Sequence, residues 1–170
     1  MLAEHLSLEP LHEQSRVLDV CTGSGMLAVL AATRARSGVV AVDVSARAVL
    51  TTRINAKLNG VSVRALRGDL FEPVRGARFD LIVSNPPYLP APRGSPRHGA
   101  SRAWKAGPHG RAFIDRICAE APGHLQPNGT LLLVHSSVCG EQQTLRALAE
   151  RGLRTTVLTR RRGPLGPLLR

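Results

Sequence analysis

At 170 residues, with 43% apolar and 21% charged side chains, the chain has the make-up of one folded globular domain, which argues against disorder, collagen-like repeats and coiled coils. Its outlier is charge: 23 Lys and Arg against 12 Asp and Glu leave a formal +11, nearly all of it arginine, since only Lys57 and Lys105 are lysines. Such a surplus suits a phosphate-rich partner or an acidic protein surface, and equally a bias in genomic nucleotide composition.

Short β-branched runs alternate with helical stretches, the pattern of a parallel sheet covered by helices. Leu2 to Leu11 carries a weak helical stripe that ends near Pro10, Arg16 to Val20 reads as a first strand, and Gly25 to Arg36 as a helix rich in alanine and leucine. Val39 to Asp43 is a second strand, and Ser45 caps a helix from Ala46 to Leu58 that Asn59 and Gly60 stop. A third strand is expected over Val61 to Leu66. A fourth, Phe79 to Ser84, is apolar enough to lie buried on both faces. The proline-rich segment from Pro86 to Pro108 lacks periodicity and reads as a long functional loop. Order resumes with a helix from about Gly110 to Ala121, a strand Thr130 to His135, a helix Glu141 to Arg151 and a strand Leu153 to Arg160. The tail, Gly163 to Arg170, is a candidate edge strand. The expectation is therefore one α/β domain over 1–170 with a mostly parallel sheet of about six or seven strands.

No apolar run reaches bilayer length: the uncharged stretch Val20 to Thr33 is short and broken by two glycines. Met1 to His5 lacks the basic start and apolar core of a secretory signal. Cys21, Cys118 and Cys139 are too widely spaced for a disulfide framework or a zinc knuckle. These features predict a cytoplasmic protein with reduced thiols, no metal and no membrane contact.

Candidate chemistry begins where the first strand meets the first helix, at Gly23 and Gly25. Glycines there let the backbone pass close to a ligand, and the spacing, with Asp43 ending the second strand, also satisfies a dinucleotide-binding pattern. Asp19, inside an otherwise apolar strand, needs hydrogen-bond donors, and Asp69 follows the third strand into the same crevice. Three acids around a glycine turn suit a ligand with positive charge, two hydroxyls and an exocyclic amine. They would repel a pyrophosphate. S-adenosylmethionine has all three features, with Asp43 on the ribose hydroxyls and Asp69 on the adenine amine.

The most specific feature is Asn85-Pro-Pro-Tyr88, after the fourth strand. Consecutive prolines fix the backbone so that the Pro86 carbonyl can point outward with no N–H competing for it. That carbonyl and the Asn85 side-chain oxygen can hold the two hydrogens of a planar –NH2 group while Tyr88 stacks on its plane. Drawing such a nitrogen towards pyramidal geometry and aligning it on a sulfonium methyl is what N-methylation requires.

These motifs resemble the class I S-adenosylmethionine-dependent methyltransferases that modify amino groups. Within them the likeness is to the short branch of the HemK-related enzymes, protein-glutamine N5-methyltransferases acting on peptide-chain release factors. It extends through Ala103, Trp104, Gly107, Gly110 and Arg111 to Asp115. The resemblance implies a Rossmann-like fold with helices on both faces of the sheet and S-adenosylmethionine as cofactor. It puts Asp19, Cys21, Thr22, Gly23, Gly25 and Asp43 at the cofactor, joined by Val44, Asp69, Leu70 and Asn85. It makes Asn85, Pro86 and Tyr88 catalytic, and Asn85, Pro86, Pro87 and Tyr88 the substrate grip. The short branch opens with a segment that closes over the methionine end of the cofactor, and the likeness here begins downstream of it, so that segment is expected to be missing. The acceptor stays open at this level: a release-factor glutamine, an adenine or guanine amine favoured by the basic charge, or no acceptor at all in a subunit that needs an activating partner.

Overall fold

The computed structural model describes residues 1–36, 38–90 and 106–161. Trp104, most of the proline-rich loop and the candidate tail strand lie outside these. The described elements run α1 (Leu2–Leu8), β1 (Val17–Val20), α2 (Met26–Ala32), β2 (Val39–Asp43), α3 (Ala46–Leu58), β3 (Arg64–Arg67), β4 (Phe79–Ser84), α4 (Ala112–Glu120), β5 (Leu125–Leu133) and α5 (Glu141–Ala149). All strand pairs are parallel and the sheet order is β3-β2-β1-β4-β5. The chain therefore builds outward on one side of β1, crosses back and continues on the other. That reversal leaves a crevice beyond the carboxyl ends of β1 and β4.

Strand alternation splits the core between the two faces. Val17, Val39, Ala41, Leu81 and Val83 pack with Leu6 of α1 and with Leu27, Ala28, Ala31 and Ala32 of α2. Leu18, Val20, Val42 and Ile82 pack on the opposite face with Phe71, Val74 and Ile117 of α4. A third cluster, Ile114, Cys118, Cys139 and Leu148, joins α4 to α5. Helices cover both faces, as the sequence predicts.

Several boundaries match the sequence reading to the residue. β2, α3 and β4 do so because each end carries its own chemistry. The Ser45 hydroxyl accepts the Ala48 N–H, and Gly60, at φ +65°, closes α3 with Gly60 N to Lys57 O and Val61 N to Ala56 O bonds.

The strand count is a correction: five strands among the described residues, not six or seven. Leu153 to Arg160 keeps an alternating pattern of burial but joins no ladder. Its side chains bond elsewhere, Thr159 to His5 and Arg160 to Glu141, so the segment is tied to α1 and α5 by side chains rather than to β5 by its backbone. Two other strands shift. β3 starts at Arg64 because Val61 and Val63 pack against the α2 side of the core. β5 starts early, at Leu125 opposite Phe79, and absorbs Gln126 to Gly129 as a bulge in which Asn128 adopts φ +65°. A turn-like sequence inside a strand hid that pairing.

Candidate active site

Asp19 lies in the middle of β1 and is buried, as the apolar strand around it predicts. Its Oδ2 accepts the Thr22 hydroxyl at 2.6 Å and the Ala28 N–H at 3.1 Å. The N-cap of α2 is Gly25, which has no side chain to cap with, so Asp19 supplies the missing acceptor from the preceding strand. Its Oδ1 is buried with no partner among the described residues. Burial pushes the carboxyl up to about 7 against those two hydrogen bonds, and the nearby Asp43 charge adds to the rise.

The two glycines of the turn do different work. Gly23, at φ +58°, has open space where a Cβ would stand, whereas a Cβ on Gly25, at φ +81°, would lie 2.7 Å from the Thr52 side chain of α3. Gly23 therefore presents bare backbone to the crevice, and Gly25 lets the turn seat on α3. The seat is hydrogen-bonded as well: Asn55 Nδ2 donates to Ser24 O at 2.8 Å, and Thr52 Oγ1 to Gly23 O at 3.4 Å.

Asp43, at the end of β2, accepts Gly23 N at 3.0 Å through Oδ2 and Ser45 N at 2.9 Å through Oδ1. One lone pair on each oxygen remains for a ligand hydroxyl. Val44, next along, is exposed. Cys21, at φ +60°, and Leu70, at φ +47°, are left-handed non-glycines where the chain leaves β1 and follows β3. Burial raises the Cys21 thiol to about 12, and the charges of Asp43, Asp19 and Asp69 add to the shift. Cys21 therefore stays a thiol near neutral pH. The Leu70 side chain belongs to the core, so only its backbone faces outward.

Asp69 is engaged differently from the sequence expectation. Arg116 Nη1 donates to both of its oxygens, at 3.1 and 2.9 Å, with each side chain about half exposed, 47% and 45%. Such a pair is weak and exchangeable, so Asp69 can still release an oxygen to a ligand amine. A polar cavity of about 330 Å³ beside the pair is lined by Phe71, Glu72, Arg75, Glu120 and His124, and it contains no part of the glycine turn.

Val20 pairs with Ser84 across β1 and β4, so the turn and Asn85 leave adjacent strands at the same level. Ser84 Oγ donates to Val20 O at 2.7 Å, locking the two strand ends together. Asn85 is exposed, Pro86 buried, and Pro87 and Tyr88 half-buried. Tyr88 packs against the cluster between α4 and α5, a contact that fixes the loop's exit. The sequence-predicted residues thus converge at the carboxyl ends of β1, β2, β3 and β4. Arg116 was missed, because a helical arginine 47 positions from Asp69 carries no local signal of the pairing. The donor set fits S-adenosylmethionine: acceptors for hydroxyls, a negative field for a sulfonium and an ammonium, and a bare glycine for close approach.

Residues 1–96 match the family described as methyltransferase small domain. A Methanocaldococcus jannaschii protein named for N5-glutamine methyltransfer to protein is 33% identical over 154 residues, which is 90% of this chain and 78% of that one. The release factor glutamine methyltransferase of Deinococcus radiodurans is 44% identical over 137 residues, 76% of this chain but 49% of its own length, so the chain spans about half of that relative. A T. thermophilus 16S rRNA methyltransferase, solved with AdoMet and guanosine, superposes with a TM-score of 0.63 at 28% identity, covering 88% of this chain and 35% of that one.

The asymmetry of the glycines predicts different costs. Alanine at either position meets the left-handed penalty of about 1 kcal/mol, and Gly25→Ala adds about 1–3 kcal/mol of overpacking against Thr52. Urea denaturation should rank Gly25→Ala well below Gly23→Ala in stability. The Asp19 carboxyl predicts a pH effect. Between 3.8, the value of the free side chain, and about 7 the folded protein holds a proton that the unfolded chain has lost, so this group makes stability fall as pH rises through that window and level off above it. Asp19→Asn should flatten that slope, measured as unfolding free energy at a series of pH values.

Proposed function

Because the chain belongs to the methyltransferase small domain family, we propose that it is an S-adenosylmethionine-dependent N-methyltransferase whose acceptor is a glutamine side-chain amide on a protein, with a release factor as the first candidate. The observation that carries the reading is the meeting, at the point where strand order reverses, of the glycine turn after β1 with Asn85-Pro-Pro-Tyr88 after β4. One motif suits the cofactor, the other a planar –NH2 group.

When bound, S-adenosylmethionine supplies an electrophilic methyl on a positively charged sulfur. The chain's own residues do the rest. Asp43 accepts the ribose hydroxyls, and the backbone around Gly23 lets the ligand lie close. The field of Asp43 and Asp69 favours its cationic end. Asn85 Oδ1 and the Pro86 carbonyl accept the two amide hydrogens and pull the nitrogen out of conjugation, raising its nucleophilicity. Tyr88 limits the angle at which the amide enters. No strong base is needed, because the amide proton becomes acidic only as the new N–C bond forms.

The basic charge supports a second reading, in which the amine belongs to a nucleobase, and the likeness to an rRNA methyltransferase points the same way. The two acceptors differ in salt dependence. Nucleic-acid affinity falls log-linearly with salt by a slope of about −0.7 to −0.9 per phosphate neutralised, whereas a protein loop in the crevice responds less. The deciding assay offers S-adenosylmethionine with a labelled methyl and the purified chain, in a cytoplasm-like buffer, to a release factor, its Gln→Asn variant, total RNA and DNA. Label in the release factor and none in its variant is expected. Label in RNA or DNA alone would reverse the acceptor assignment.

Two substitutions separate the roles of the motifs. Asn85→Ala should lower kcat by about 10²- to 10³-fold, the scale for losing one preorganised hydrogen-bond partner, with S-adenosylhomocysteine affinity unchanged by calorimetry. Asp43→Ala should weaken S-adenosylhomocysteine binding by about 1.5–3 kcal/mol, the scale for a charge-assisted hydrogen bond.

A further inference from the structure

The Asn85-Pro-Pro-Tyr88 turn leaves the sheet at Ser84, and its far end is held from outside the sheet. Arg111, the N-cap residue of α4, is buried, its side chain 8% exposed. Its Nη1 donates to the carbonyl of Cys139, to that of Gly140 at 3.1 Å and to the Thr144 hydroxyl at 3.1 Å. Its Nε and Nη2 donate to Asp115 Oδ1 at 2.9 and 2.6 Å. A rigid planar fork thus ties the start of α4 to the turn that precedes α5.

That turn touches the acceptor loop. Cys139 Sγ donates to the Tyr88 carbonyl at 3.0 Å. Burial pushes the Cys139 thiol upward, which keeps the S–H in place as a donor. Gly110, immediately before Arg111 and at φ +70°, passes so close that a Cβ there would stand 2.4 Å from the Tyr88 carbonyl oxygen and 3.0 Å from Cys139 Sγ. Gly110 and Cys139 thus meet each other at the Tyr88 carbonyl, and Arg111, next to Gly110 in the chain and bonded to the Cys139 carbonyl, ties the two segments together.

We propose that Arg111 is a positioning residue for methyl transfer: acting through Cys139 and Gly110 it holds Tyr88, and with it the turn from Asn85, in the one conformation that can receive a planar amine. The role in turnover rests on the functional reading above, but the positioning itself can be read without any acceptor. Tyr88 is the chain's single tyrosine, so 3-fluorotyrosine incorporated into the full chain gives one ¹⁹F resonance that reports on the turn.

The variants are Arg111→Met, Arg111→Lys, Cys139→Ala and Cys139→Ser. We expect one narrow resonance in the parent chain, broadened or split in Arg111→Met and Cys139→Ala. It should return towards the parent line in Cys139→Ser, which keeps a donor to Tyr88, and partly in Arg111→Lys, which keeps a cation near the carbonyls. The S-adenosylhomocysteine Kd should stay unchanged in all four. On the accepted substrate, kcat should fall by about 10²-fold in Arg111→Met and Cys139→Ala, the scale of a misplacement near 1 Å, while the cofactor KM holds. An unaltered tyrosine resonance in folded Arg111→Met or Cys139→Ala would overturn the proposal, as would a loss of cofactor affinity equal to the loss of rate. If Arg111→Met does not fold, Arg111→Lys carries the Arg111 arm of the test, and an unaltered resonance in Cys139→Ala would still overturn the proposal. Should the parent chain methylate no acceptor at all, the functional reading fails while the resonance still tests the positioning.

Discussion

One carboxyl group in the middle of an apolar strand constrains everything around it. Asp19 cannot sit inside β1 without donors, and it finds them only if the chain turns sharply after Val20, so that the Thr22 hydroxyl and the Ala28 N–H both reach back to it. That requirement fixes the start of α2, and so the shape of the turn that carries Gly23. Asp43 then joins the turn to the end of β2 and the beginning of α3 through one bond from each oxygen. Two acids thus join the ends of β1 and β2 and the starts of α2 and α3 into one rim. The cost is a buried, half-satisfied carboxyl with a raised pKa, the kind of local instability that accompanies binding sites.

Much of this was legible in the chain itself, where signals were local. Ser45, Asn59 and Gly60 delimit α3 through bonds to residues within five positions, and β4 is buried from Leu81 to Ser84 because it is central. The glycine turn, Asp43 and Asn85 to Tyr88 stand out because their residue types fit few other purposes. What was not legible depends on pairs far apart in sequence. The early start of β5 rests on Leu125 meeting Phe79, with a turn-like stretch between that and the main ladder. Leu153 to Arg160 alternates like a strand, yet pattern shows which side chains are half-buried, not whether the backbone has a partner. Arg116 beside Asp69, and Cys139 beside Tyr88, are of the same kind.

The arginine surplus also takes on a structural meaning. Arg34 donates to Ser7 O, Arg53 to Ala65 O, Arg67 to Val44 O, Arg78 to Leu125 O and Arg151 to Ala147 O, besides the bonds of Arg111. Several of these carbonyls lie at element ends or on strands, where the regular ladder leaves them without a donor. A guanidinium with five N–H groups can serve a carbonyl while its remaining donors face water, which a single ammonium does less well. Part of the positive charge is therefore the by-product of closing backbone hydrogen bonds.

The seat of Gly25 on Thr52 reaches further than the turn itself. Thr52 is fully buried on α3, a helix that also packs against β3 at the outer edge of the sheet, and the same helix holds the carbonyls of Gly23 and Ser24 through Thr52 and Asn55. With no slack between a glycine Cα and a β-branched side chain, the rim and the sheet edge form one mechanical piece. A rigid-body shift of α3 by even a few tenths of an ångström would be transmitted to the glycine turn. The outer flank of the sheet is thereby packed, through α3, directly onto the glycine turn at its centre.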